Sequence, residues 1–78
     1  MLASMDHPLK VARKNAGLNQ AQVAELAKTT QSAISKYESG EVIPSVDAAA
    51  AIAQALGMSE LQLLYPERFG FVRERLAA

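Results

Sequence analysis

The sequence contains no cysteine, and only four of its 78 residues are aromatic. The missing cysteine excludes disulfides, thiolate metal sites and a cysteine nucleophile, and it fits a reducing cytosol. No apolar run approaches the roughly 20 residues that span a bilayer, and the opening Met-Leu-Ala-Ser is too short for a secretory signal. We therefore expect a cytoplasmic protein.

The sequence also lacks the short motifs that mark the common enzyme classes. It has no P-loop, no glycine-rich phosphate cradle, no His-Glu-x-x-His pair and no serine–histidine constellation. Its single histidine, His7, has no second ligand or base placed for it. We expect no catalytic residue, no metal and no cofactor.

Net charge is absent as well, because eight basic residues balance eight acidic ones. Their distribution is nevertheless uneven. Residues 10–36 carry five basic residues and one acidic residue, whereas residues 38–67 carry five acidic residues and no basic one. The basic segment is a candidate surface for nucleic acid that the average charge conceals.

The sequence is rich in alanine and leucine, and residues that mark helix boundaries occur often along it. With 50% hydrophobic and 5% aromatic residues, the composition favours tightly packed helices over a sheet. Capping residues and glycine stops predict an all-α domain of five helices at residues 6–65. The predicted N-caps are Asp6, Asn19, Thr30, Ser45 and Ser59, and the predicted stops are Gly17, Gly40 and Gly57.

Residues 66–78 form a C-terminal extension that has two interpretations. As a helix it places Phe69, Val72 and Leu76 on one side, and as a strand it alternates Phe69, Phe71 and Arg73. Both leave apolar side chains beyond the needs of a five-helix core, which indicates an interface between two copies. The predicted dimerisation residues are Leu61, Leu64, Phe69, Phe71, Val72 and Leu76.

Two glutamines eleven positions apart, Gln20 and Gln31, open the second and third predicted helices. The short link between these helices, Lys28 to Thr30, and the small Ala24 at their crossing are typical of a helix-turn-helix pair. The third helix of such a pair lies in the major groove of DNA. Gln31 can offer a donor and an acceptor to adenine, while Gln20 can add an amide donor to a phosphate at the helix N-terminus.

The stretch from Leu9 to Leu64 resembles the lambda-repressor-like helix-turn-helix family, also called Xre or Cro-like. The resemblance rests on the combination of "LNQA", "TTQSAIS", an E-x-G and the later "ALGMS". It implies a five-helix DNA-binding domain and a sequence-specific transcriptional regulator. The implied regulator is a Cro-like or phage-type repressor that inserts helix three, about residues 31–38, into the major groove.

The resemblance also implies individual roles. Helix one and helix three are joined by an ion pair between Arg13 and Glu38. The base readers are Gln31, Ser32 and Lys36, and the contacts to the DNA backbone are Asn19, Gln20, Lys28, Thr30, Ser35 and Arg13. The implied partner is a double-stranded operator with approximate two-fold symmetry, bound by a homodimer at the nucleoid.

Three positions depart from the family pattern. Lys28 stands where the family usually has a turn glycine, the loop "GEVIPS" lacks basic residues, and Ser32 replaces a longer amide. Alternative functions are an antitoxin with a toxin partner, a restriction–modification controller, and a protein-interaction module that uses the same helices. Salt-dependent binding to duplex DNA separates the DNA-binding functions from the last one.

Overall fold

The computed structural model describes residues 6–70, and within that range the chain is all-α, as the sequence predicts. The five α-helices are α1 (Pro8–Asn15), α2 (Gln20–Leu26), α3 (Gln31–Ser39), α4 (Val46–Leu56) and α5 (Glu60–Leu64). A π-helical turn, Pro66–Gly70, follows α5. The strand interpretation is therefore wrong for residues 66–70, while Phe71, Val72, Arg73 and Leu76 lie outside the described residues.

Short polar side chains start four of the helices at the predicted positions. Asn19, Thr30, Ser45 and Ser59 each accept a backbone N–H from the first turn of the helix that follows. These bonds satisfy donors that a helix N-terminus leaves without partners. The first residue of each of these four helices, including α3, is therefore encoded locally.

The first helix corrects the prediction that Asp6 is its cap. His7 occupies the capping position, and its Nδ1 accepts the N–H of Leu9 at 3.0 Å. Pro8 is the first helical residue, because its fixed φ suits that position and its missing N–H is not needed there. The cap must immediately precede the proline, so it falls on residue 7.

The core contains one large apolar side chain from each α-helix, and all five are fully buried. They are Leu9, Val23, Ile34, Ile52 and Leu63. Buried alanines fill the space between them, which lets short helices approach closely. Ile34 fixes the rotation of α3, so the opposite side of that helix faces outward. No helix among residues 6–70 is long and apolar enough to cross a membrane.

Candidate nucleic-acid interface

The turn between α2 and α3 is held by a pair of hydrogen bonds from its backbone. The Thr29 N–H donates to the Ala24 carbonyl at 2.8 Å, and the Lys28 N–H donates to the Glu25 carbonyl at 3.2 Å. This pattern ends a helix with a left-handed residue, and Lys28 adopts that conformation with φ 58°. A lysine therefore takes a conformation that favours glycine, at a cost of about 1 kcal/mol.

The connection is slightly longer than predicted, since α2 ends at Leu26 and α3 begins at Gln31. Ala24, only 4% exposed, lies buried in α2, as expected for a close crossing. The two short helices are therefore held in a fixed orientation relative to each other. A helix that presents side chains to a partner needs such a fixed orientation.

The first two turns of α3 carry four exposed polar side chains, which we call the reading strip. Ile34 points into the core, Ser32 and Lys36 lie on the opposite face, and Ser35 lies beside them. Gln31 lies one turn before Ile34 and is exposed at the N-terminal end of the helix. The members of the reading strip are Gln31, Ser32, Ser35 and Lys36. Donors, acceptors and one cation therefore project together from the first two turns of α3.

The two glutamines are joined to each other by their side chains. Gln31 Nε2 donates to Gln20 Oε1 at 3.5 Å, and Gln20 Nε2 donates to Glu38 Oε1 at 3.1 Å. A primary amide has two N–H donors and an acceptor oxygen. Gln31 thus keeps its oxygen and one N–H for a ligand, and Gln20 keeps one N–H.

Glu38 holds this chain of amides in place because it is itself paired with Arg13. Arg13 Nε lies 2.6 Å from Glu38 Oε2, and Arg13 Nη2 donates to Glu38 Oε1 at 3.2 Å. The two side chains are only 11% and 6% exposed. Arg13 Nη1 also donates to the Leu18 carbonyl at 2.9 Å, so one guanidinium connects α1, the α1–α2 link and α3.

This arrangement contains the ion pair that the resemblance implies, and it occupies the guanidinium to which the resemblance also gives a second role. The guanidinium is almost completely covered and three of its nitrogens donate within the protein. Its charge is compensated by Glu38. Arg13 therefore has a structural role, and its contact to the DNA backbone stays a prediction.

The remaining backbone-contact candidates lie at the surface around the reading strip. Asn19 Oδ1 accepts the Gln22 N–H, and Thr30 Oγ1 accepts the Ala33 N–H. Capping uses only the acceptor side of each group, so the Asn19 amide and the Thr30 hydroxyl can still donate to a phosphate oxygen. Lys28 is exposed at the turn beside them.

The capping role of His7 was not predicted from the sequence. His7 is 8% exposed, and burial lowers its pKa from the ordinary 6.5, while the negative charge of Glu38 acts in the opposite direction. Neutral imidazole suits the cap, because Nδ1 must lack a proton to accept the Leu9 N–H. The signal was Pro8, which marks the preceding residue as a cap.

Known proteins offer one point of comparison. A family model described as helix-turn-helix matches residues 9–63, which is more than half of the chain and includes every α-helix but the first residue of α1 and the last of α5. No curated protein and no solved structure shows a significant match. Among residues 6–70 there is also no cluster of side chains that could hold a metal ion.

Proposed function

Because the chain belongs to the lambda-repressor-like helix-turn-helix family of DNA-binding regulators, we propose that it is a sequence-specific repressor of the Cro-like or phage type. The observation that carries this proposal is the amide link between Gln20 and Gln31 on an exposed helix. A link of this kind would orient a long side chain that otherwise rotates freely. Orientation is needed to read a base edge, because two hydrogen bonds must form together.

In the proposed complex, α3 enters the major groove with its reading strip against the bases. The free oxygen and N–H of Gln31 match the N6 and N7 groups of adenine. Ser32 is short and adaptable, while Lys36 can donate to the O6 and N7 acceptors of guanine. These three residues are the base readers of the proposal.

Phosphate contacts would position this helix without adding sequence information. The donors available for them are the remaining N–H of Gln20, the Asn19 amide, the Thr30 and Ser35 hydroxyls and the Lys28 ammonium. All five side chains belong to α2 or its N-cap, to the turn, or to α3. They would fix the register of α3 along the groove.

A homodimer would double the number of base pairs that the protein reads. One α3 helix reaches only a few base pairs, and two copies related by a two-fold axis can read half-sites whose centres lie about 34 Å apart. The operator of the proposal therefore has approximate two-fold symmetry.

The test is selection of bound duplexes from random DNA, followed by titration of single variants on the selected site. Gln31→Ala should lose about 1–3 kcal/mol and relax the preference at one base pair. Gln20→Ala should weaken different sequences more evenly. Gln54→Ala is the matched control, because Gln54 is an exposed glutamine on α4 and should not affect binding.

Salt provides the second measurement on the same site. Binding should fall steeply as salt rises, despite zero net charge, because lysines at the interface release counterions from phosphate. A flat salt dependence, or a Gln31→Ala variant that binds every sequence as the parent does, would contradict the proposal.

A further inference from the structure

A shallow cleft of about 300 Å³ lies against the side of α3, immediately beside the reading strip. It is lined by Thr30, Ser32, Ala33, Lys36, Tyr37 and Val42. Five of these residues belong to α3 or its cap, and the sixth comes from the loop that follows. Ser32 and Lys36 are shared with the reading strip, so the cleft continues the same surface.

Val42 is held at this cleft by the backbone. The N–H groups of Glu41 and Val42 both donate to the Lys36 carbonyl, at 3.0 and 3.3 Å, and Ser39 Oγ donates to the same carbonyl at 3.0 Å. Gly40, with φ 81°, makes the reversal that permits these bonds. The loop is thus folded back on α3, and Val42 remains 42% exposed beside Lys36.

The loop offers DNA no cation with which to hold a phosphate. Residues 37–67 contain no basic residue, although five acidic residues occur there. What the loop places next to the reading strip is apolar surface, with the half-buried Ala33 and Tyr37 beneath it. In the major groove the C5-methyl group of thymine is the only apolar feature that a base pair presents.

Building on the proposed function, we infer that Val42 and this cleft are a specificity site for the C5-methyl group of a thymine in each half-site. Lys36 at the rim supplies a donor for an acceptor on the same or the neighbouring base pair. In this arrangement the loop contributes sequence selectivity through an apolar contact to the base. Some members of the resembled family instead use basic residues in this loop to bind the DNA backbone. Val42 joins Gln31, Ser32 and Lys36 as a reader.

Deoxyuridine tests this inference, because it is thymidine without the methyl group. Each thymine of the selected operator is replaced singly by deoxyuridine, and binding of the full chain is titrated. One position in each half-site should lose about fourfold in affinity, the value expected for removing one buried methyl group. Val42→Ala should bind the thymine and deoxyuridine duplexes with equal affinity at that position.

Ile43→Ala is the matched control. Ile43 is the next residue of the same loop and is 52% exposed, but it does not line the cleft. This variant should keep the preference of the parent for thymine over deoxyuridine. Both substitutions are at exposed side chains, and thermal melting followed by circular dichroism verifies that each variant is folded.

The outcomes separate this inference from the proposed function. If binding depends on Gln31 but no replacement of thymine by deoxyuridine lowers the affinity, the proposed methyl site is wrong and the proposed repressor function is unaffected. The same conclusion follows if Val42→Ala still loses affinity on that replacement. If Ile43→Ala abolishes the loss of affinity as well, the cleft is not its cause. If the parent protein shows no specific binding to any duplex, both proposals are overturned.

Discussion

Glu38 is the residue on which the corner between α1, α2 and α3 depends. It is 6% exposed and accepts from Arg13 through two nitrogens and from Gln20 through one. Its removal leaves a buried guanidinium without its counter-charge, and such changes cost about 3–5 kcal/mol. We expect Glu38→Ala to lower the free energy of unfolding by that amount in urea titrations.

The control for this prediction is Glu41→Ala, which removes an exposed carboxylate three residues further along. Surface changes of that kind usually stay within about 0.5 kcal/mol. Equal losses for the two variants would show that the Arg13–Glu38 pair contributes nothing beyond an exposed charge.

His7 should make the stability of the fold depend on pH. Its folded pKa lies below the unfolded value of 6.5, so the unfolded chain binds more protons between the two values. The contribution of neutral His7 is therefore complete above pH 6.5 and is lost as pH falls through the lowered folded pKa. Protonation of Nδ1 also removes the acceptor for the Leu9 N–H.

His7→Asn isolates this effect, because asparagine can accept the same N–H and does not titrate. Urea titrations of parent and variant between pH 7.5 and about pH 5, above the ordinary carboxylate range, should show a slope for the parent that the variant lacks. Parallel pH profiles for the two proteins would assign the slope to other groups.

At the scale of the element, the helix starts were predictable and the long-range links were not. Thr30 and Ser45 are short polar residues placed directly before helical segments, which is a local signal. His7 was missed because Asp6 is the better cap in isolation, and only the position of Pro8 decides between them.

The links within the candidate interface needed the tertiary structure or the resemblance. Arg13 and Glu38 are 25 residues apart, and no local pattern pairs them; the resemblance to a family did. The bond between Gln20 and Gln31 follows from how α2 crosses α3, which the sequence constrained only through the short link and Ala24. The cleft at Val42 depends on a loop that reverses after Gly40, so no periodicity in the sequence could indicate it.

The turn between α2 and α3 offers a test in which stability and binding change in opposite directions. Lys28 has a φ of 58°, and glycine adopts that conformation without strain. We expect Lys28→Gly to raise the free energy of unfolding by about 1 kcal/mol, although glycine loses more entropy on folding. If Lys28 contacts phosphate as proposed, the same change should weaken DNA binding and reduce its salt dependence, because one ammonium is lost from the proposed interface.

Gly57→Ala is the reciprocal control for the backbone effect, since Gly57 has a φ of 68° and open space around it. That substitution should destabilise the fold by about 1 kcal/mol, because it introduces strain at the end of α4. If Lys28→Gly is no more stable than the parent, the lysine side chain offsets the strain of its own backbone.

At the scale of the whole molecule, the surface that remains to be explained is an apolar stripe along α5 and the π-helical turn. Leu61, Tyr65 and Phe69 are spaced by four residues and are 45%, 53% and 48% exposed. Tyr65 and Phe69 pack edge to face with ring centroids 6.4 Å apart. Leu64, by contrast, packs against the core and is half-buried, so among the predicted dimerisation residues it is the least available.

We expect this stripe to be the contact between two copies, because contiguous exposed apolar surface usually marks an interface. Leu61→Ser combined with Phe69→Ser should shift the protein toward monomer in sedimentation equilibrium and remove cooperativity on a two-fold symmetric operator. Binding to a single half-site should be unchanged, because both residues are distant from the reading strip in the sequence. Both side chains are exposed, so the fold should keep most of its stability.

Val46→Ser supplies the comparison, because Val46 is the most exposed large apolar side chain of residues 6–70, at 65%, and it begins α4 instead of lying on the stripe. Removing residues 71–78 tests the rest of the predicted contact, Phe71, Val72 and Leu76, and leaves the buried Pro66 in place. If the double variant and the shortened chain both remain dimeric and bind the operator cooperatively, the two copies meet elsewhere. If only the shortened chain dissociates, the contact is made by the last eight residues and the stripe does not contribute to it.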